Sequence, residues 1–159
     1  IVFRCVKHCD EPLWSFQILH RLHKKAVIPA KYVLFDSWFS SPSTLHAVKR
    51  MDLDVIGMVK KSPKMFFRYD GEDMSLISIY NKNKKRRGKS KYLLSVMVDV
   101  VKDGDIIPAK VVYVRNRNKR KEYLCLISTD VNAKATLTWA ENAIMDALPA
   151  LLKTKLQAA

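Results

Sequence analysis

The sequence predicts an α/β fold in which a parallel unit carries an antiparallel sheet. Three observations lead there. Two short apolar runs, YVLFD at 32–36 and DVIGMVKK at 54–61, bracket a stretch with helical character. Two longer strand-like runs, 92–101 and 106–114, flank Asp103-Gly104. A further apolar run, EYLCLIST at 122–129, follows a basic segment. The first pattern is a βαβ unit, with parallel strands and a right-handed crossover. The second is a hairpin, because Asp-Gly supplies the left-handed backbone that a two-residue turn requires. The third adds another strand to the hairpin.

Taken in order, residues 1–7 read as a short strand. Asp10, Glu11 and Pro12 resemble a helix start, with a cap and then proline in the first turn. Leu13, Phe16, Leu19 (or Ile18) and Leu22 recur near the helical period, and Pro29 ends that helix. YVLFD is a near-continuous apolar run, as expected of a strand buried on both faces in a central sheet position. Ser41 and Pro42 open the next helix, as cap and first residue, with Leu45, Val48 and Met51 as its inner stripe. KMFFRY at 64–69 reads as a strand ending at Asp70-Gly71, followed by a short apolar stretch around Leu76–Tyr80. The last segment, about 138–156, reads as a helix: Thr138 and Glu141 have capping-box spacing, and Pro149 interrupts it.

The chain has 159 residues, enough for a single domain with a buried core. It begins inside an apolar stretch without a starting Met, which reads as a piece of something longer. Hydrophobic residues make up 48% and charged residues 28%, a globular rather than a disordered composition. Lys and Arg number 29 against 15 for Asp and Glu, a formal charge of +14. That excess points to a polyanionic partner, nucleic acid before membrane. No segment has the length and polarity of a membrane helix or a signal peptide. Three cysteines, Cys5, Cys9 and Cys125, make no disulfide framework and suit a reducing compartment. Cys125, inside an apolar strand, is expected in the core.

The basic charge is clustered. Seven of the ten residues at 82–91 are Lys or Arg, and RNRNKRK at 115–121 is a second run. Lys84, Lys85, Arg86, Arg87 and Lys89 of the first run are candidate DNA-contact residues, with Arg115, Arg117 and Arg120 of the second. Such runs suit phosphate contact with counterion release, and arginine adds bidentate geometry. A solvated hairpin rim is the plain alternative. Asp36 is a second candidate, at the carboxyl end of a buried strand, where α/β sheets place their active sites. A carboxylate there suits a hard cation such as Mg²⁺, although an Asp before a serine-rich loop also caps turns. Cys5, Cys9, His20 and His23 invite a zinc reading. Their spacing misses that of a zinc finger, and buried thiols beside a partly solvated helix are the simpler account. Only four glycines occur, and none falls in a phosphate-cradling pattern.

The run PAKYVLFDSWFSSPSTLHAVKRMDLDVIGMVKK, then SKYLLSVMVDV, IPAKVVYVRNR and KEYLCLISTD, resembles the DDE transposases of bacterial insertion sequences, in the large family typified by insertion sequence 4. The resemblance covers about residues 28–130. It implies an RNase H-like mixed sheet with flanking helices and a β-rich insertion, here about 64–129, within one partial catalytic domain spanning 1–159. It implies DNA cleavage and strand transfer in DNA transposition, in the bacterial cytoplasm. Two Asp and one Glu would hold two divalent metals, Mg²⁺ by expectation, that activate the attacking oxygen and stabilise the leaving one. Asp36 matches the second acidic residue, catalytic and metal-binding. Trp38 and Phe39 beside it suit either wall packing or contact with DNA. The partners implied are DNA element ends and a homodimer, with no membrane and no small-molecule cofactor.

The departures are equally specific. The segment 1–17 does not resemble the strand that carries the family's first Asp. The family's Glu travels with Tyr, Arg and Lys at helical offsets, yet no Arg follows Arg120 and no Tyr follows Tyr123. Glu141 falls too soon after Asp130, and the tail from about residue 133 looks foreign to the family. The expectation is an incomplete sheet and a fragment that does not catalyse alone. The alternatives are a non-catalytic DNA-binding remnant and an RNase H-like nuclease unrelated to transposition.

Overall fold

The computed structural model describes residues 32–35, 37, 39–85, 90–116, 119 and 121–132. They form a mixed α/β arrangement dominated by one sheet of seven strands. In chain order the elements are β1 (Tyr32–Phe35), α1 (Pro42–Lys49), β2 (Asp54–Val59), β3 (Phe66–Tyr69), β4 (Glu72–Ser75), α2 (Leu76–Lys82), β5 (Tyr92–Lys102), β6 (Asp105–Arg115) and β7 (Tyr123–Ser128). The order across the sheet is β1-β2-β7-β6-β5-β3-β4. The strand expected at 1–7 and the helices expected around 10–28 and 138–156 lie outside the described residues. So do Cys5, Cys9, His20, His23 and Glu141.

β1 and β2 pair in parallel, from Tyr32 opposite Asp54 to Phe35 opposite Gly57, with α1 between them in the chain. The β-α-β order read from the sequence is therefore present. The Ser41 hydroxyl accepts from the Thr44 N–H at 3.2 Å and Pro42 occupies the first turn, the expected start. Leu45 and Val48 are fully buried, and Met51 packs against the same core.

The expectation for β1 concerned both its faces and its place in the sheet. Val33 and Leu34 are buried on opposite faces of β1, as read from YVLFD. Among the described residues, however, β1 is the edge strand rather than a central one. Burial of both faces reports what lies above and below a strand and says nothing of its sides. The antiparallel part is also continuous with the parallel unit. β7 pairs antiparallel with β2 on one side and with β6 on the other, joining the two parts.

The β5–β6 hairpin runs from Tyr92 opposite Val114 to Lys102 opposite Asp105. Its turn places Asp103 at φ 51° and Gly104 at φ 86°, the doubly left-handed geometry that Asp-Gly favours. Between Tyr92 and Leu94 the register slips by a residue, a bulge at the start of β5. β3 ends at the Asp70-Gly71 turn as expected. The turn leads into β4, a strand that the sequence pattern does not reveal. The apolar stretch after it is α2, capped by Ser75, whose hydroxyl accepts from the Ser78 N–H at 3.2 Å.

Directly opposed residues of neighbouring strands share a face. One face carries Val33, Val55, Val59, Cys125, Ile127, Val111, Tyr113, Val96, Val98 and Phe67, and both helices pack there. The other face buries Leu34, Ile56, Leu126, Val112 and Val114 in a second cluster. Cys125, 1% exposed, is core as expected. Burial pushes its thiol up to about 12, against a smaller downward pull from the Lys61 ammonium. No helix of the described residues is long and apolar enough to cross a membrane.

Candidate nucleic-acid interface

Strand direction sorts the charged residues into two ends of the sheet. β1 and β2 are parallel, β7 runs against β2, β6 against β7, and β5 against β6. The carboxyl ends of β1, β2 and β6 therefore meet the starts of β7 and β5 at one end. The segments that converge there bring Lys60 and Lys61 after β2, Lys91 before β5, Arg115 at the end of β6, and Lys119 and Lys121 before β7. Glu122 is the one carboxylate among the described residues of these segments, and it pairs with Lys119 at 3.2 Å. At the opposite end the cations are matched. Lys49 pairs with Asp54 at 2.6 Å, Arg50 with Asp105 at 2.9 Å and Lys102 with Asp103 at 3.9 Å.

The basic end has an aromatic foundation. Tyr80 of α2 stacks on Tyr123 of β7, with ring centroids 4.0 Å apart. Tyr113 of β6 closes the group from below, at 5.1 Å from Tyr80 and 5.6 Å from Tyr123. Its hydroxyl donates to the Leu76 carbonyl at 2.8 Å, tying the start of α2 to the sheet. Burial, then the neighbouring Cys125, raises the pKa of both Tyr113 and Tyr123, so these rings stay neutral. Lys61 lies over the Tyr123 ring, 4.4 Å from its centroid, and Lys85 lies over the Tyr80 ring at 4.7 Å. Such contacts are worth about 0.5–1 kcal/mol at exposed sites.

The sequence candidates fall as follows. Lys84 is exposed just beyond α2, and Lys85 is half-buried over Tyr80. Arg115 is half-buried, its backbone N–H donating to the Lys91 carbonyl at 2.9 Å and its Nε to the Ser90 carbonyl at 3.4 Å. It thus clamps the start of β5. Asp36, Arg86, Arg87, Lys89, Arg117, Arg120 and Trp38 lie outside the described residues. Phe39 packs against the core cluster, the packing alternative of the two open to it. Lys61 and the three tyrosines escaped sequence reasoning. A run of basic residues is visible in one dimension, but a lysine set on a ring from another strand is not.

Asp36 directly follows β1, whose carboxyl end lies at the basic end of the sheet. Two other carboxylates of the resembling stretch belong to strand ends on the opposite side of the sheet. Asp54 starts β2, and Asp130 follows β7, so both belong to the far end. There Tyr32 donates to Asp130 at 2.7 Å and Thr129 donates to Asp54 at 2.9 Å. An open cleft of about 490 Å³ lies between β3 and β5, lined by Arg68, Asp70, Asn83, Ser95 and Asp99 among others.

No protein-family model matches the chain, and no curated protein matches it significantly.

Proposed function

We propose that this chain is a DNA-binding part of a DDE-type insertion-sequence transposase with an RNase H-like fold, and that alone it contacts DNA rather than cleaving it. One observation carries the reading: the strand preceding Asp36 ends at the same end of the sheet as the basic segments. An enzyme that presents a carboxylate to a phosphodiester needs that combination, with cations to seat the backbone and an acid beside them. The parallel β1-α1-β2 unit followed by a long antiparallel extension is consistent with an RNase H-like core carrying a β-rich insertion. Among the described residues β1 is an edge strand, and the further strands of an RNase H-like core would lie beyond it.

The described residues do not fit a two-metal site around Asp36. Asp54 and Asp130 stand at the far end, and Glu122 is two strands over and engaged with Lys119. A single carboxylate holds Mg²⁺ weakly unless substrate phosphates complete its shell. Binding, rather than cleavage, is the activity that the charge arrangement supports.

The test is nicking of supercoiled plasmid in Mg²⁺ or Mn²⁺, with Asp36→Ala as control and salt-titrated DNA binding alongside. Binding without nicking is expected, with affinity falling about 10³-fold or more between 50 and 200 mM salt. Asp36-dependent nicking would overturn the non-catalytic part, and a dependence on defined terminal repeats would separate transposase from general nuclease. Absence of salt-sensitive binding would overturn the reading as a whole.

A further inference from the structure

We infer that Lys61 and Lys85 are phosphate-contact residues held by the stacked rings of Tyr80 and Tyr123, a ring pair that presents two positioned cations to one nucleic-acid backbone. The inference rests on the DNA-binding reading above and names residues that carry it.

The geometry is that of a four-member stack. Tyr80 and Tyr123 lie nearly parallel, 23° apart, and each covers one face of the other. With ring centroids only 4.0 Å apart, no space remains between them for an ammonium group. Lys61 and Lys85, at 4.4 and 4.7 Å from the ring centres, therefore occupy the two outer faces. The members come from three places in the chain: the end of β2, the end of α2 and the start of β7. Asn83 fixes the chain just before Lys85, donating to the Ile79 carbonyl at 2.9 Å and accepting from the Tyr69 hydroxyl at 2.9 Å.

The setting of Lys61 and Lys85 differs from that of the cations engaged in ion pairs. Arg50, Arg68, Lys49, Lys82 and Lys119 all sit within 4 Å of a carboxylate. Among the described residues Lys61 and Lys85 have no such carboxylate, although Glu122 directly precedes the tyrosine on which Lys61 rests. A ring face orients an ammonium without neutralising it, whereas a carboxylate does both. Both lysines are half-buried, so much of their rotamer freedom is already spent before a ligand arrives. A positive charge that is fixed on a ring, at the most basic end of the sheet, is suited to a phosphate.

The experiment is fluorescence anisotropy of a labelled DNA duplex from 50 to 200 mM KCl. It compares the wild type with Lys61→Gln/Lys85→Gln, Tyr80→Leu, Tyr80→Phe and, at the far end, Lys102→Gln. Loss of two phosphate contacts should flatten the log–log salt slope by about 1.8 and weaken binding on the order of 50-fold at 0.1 M. Lys102→Gln and Tyr80→Phe should bind as the wild type does. Tyr80→Leu should lose several-fold in affinity while melting cooperatively, because the lysines remain but are no longer held. If the wild type binds with a steep salt slope and the double lysine variant keeps that slope, this inference fails and the DNA-binding reading stands. If the wild type shows no salt-sensitive binding, both fail. Equal binding by Tyr80→Leu and wild type would remove the positioning role of the ring.

Discussion

Replacing Thr129 by Val tests the joint between the parallel and antiparallel halves of the sheet. Thr129 follows β7 and is 5% exposed. Its hydroxyl accepts from the Val55 N–H at 2.9 Å and donates to the Asp54 carboxylate at 2.9 Å. Its own N–H donates to the Val55 carbonyl at 3.1 Å, which valine preserves. Valine also keeps the volume and branching, so the loss falls on the hydroxyl alone. The Val55 N–H would be left in a fully buried residue without that acceptor, at a cost of about 1–3 kcal/mol. Asp54 keeps its pair with Lys49 at 2.6 Å, so its lost bond adds little. The expected destabilisation is about 1–3 kcal/mol. Urea denaturation followed by circular dichroism would read it as a midpoint lowered by about 1 M with an unchanged slope. Thr129→Ser, which retains the hydroxyl, should lose far less. A Thr129→Val protein within about 0.5 kcal/mol of wild type would refute the reasoning, because no ordinary buried donor is orphaned so cheaply.

Two further outcomes follow from the same geometry. The Cys125 thiol is pushed up to about 12 from an ordinary 9.0, so its contribution to stability is complete below pH 9 and is lost as pH rises towards 12. Between pH 9 and 10, below the ordinary tyrosine range, Cys125→Ala should lose stability with pH less steeply than wild type; identical slopes in pH-dependent urea melts would assign the alkaline loss elsewhere. Gly104 has φ 86° and open space around its α-carbon, so Gly104→Ala meets backbone strain without a clash. It should cost about 1–2 kcal/mol in thermal or urea melts, and an unchanged midpoint would count against the doubly left-handed turn.

Local signals made much of the fold legible. Ser41-Pro42 marks the start of α1, and Asp103-Gly104 marks the hairpin because few other pairs adopt its backbone angles without strain. Asp70-Gly71 likewise marked the end of β3, but its partner β4 has the sequence EDMS, which carries no strand-like alternation. α2 was harder, since Ile77 and Ile79 are β-branched and its seven residues are too few for a periodic pattern. Its available sign was Ser75 ahead of Leu76, Ile79 and Tyr80, at helical spacing. The insertion of β7 between β2 and β6 is decided by pairings up to some seventy residues apart in the chain, such as Ile56 with Ser128. The basic runs were readable as composition. The stack that orders Lys61 and Lys85 was not, because its rings come from α2 and β7 and meet only in space.

The long hairpin has an electrostatic consequence. Eleven residues per strand span about 37 Å at 3.4 Å per residue, from Lys91 and Arg115 at one extremity to Asp103 and Asp105 at the other. At physiological salt an exposed charge is screened over about 8 Å. The tip, where Arg50 and Lys102 pair with Asp105 and Asp103, therefore lies several screening lengths from the basic end and exerts almost no repulsion on a polyanion bound there. The hairpin leaves the unbalanced positive charge of the described strand ends gathered at one end of the sheet. An approaching polyanion would turn the basic end towards itself before any side chain touches it, so the hairpin would act as a spacer that keeps the charge-balanced tip away from the bound chain.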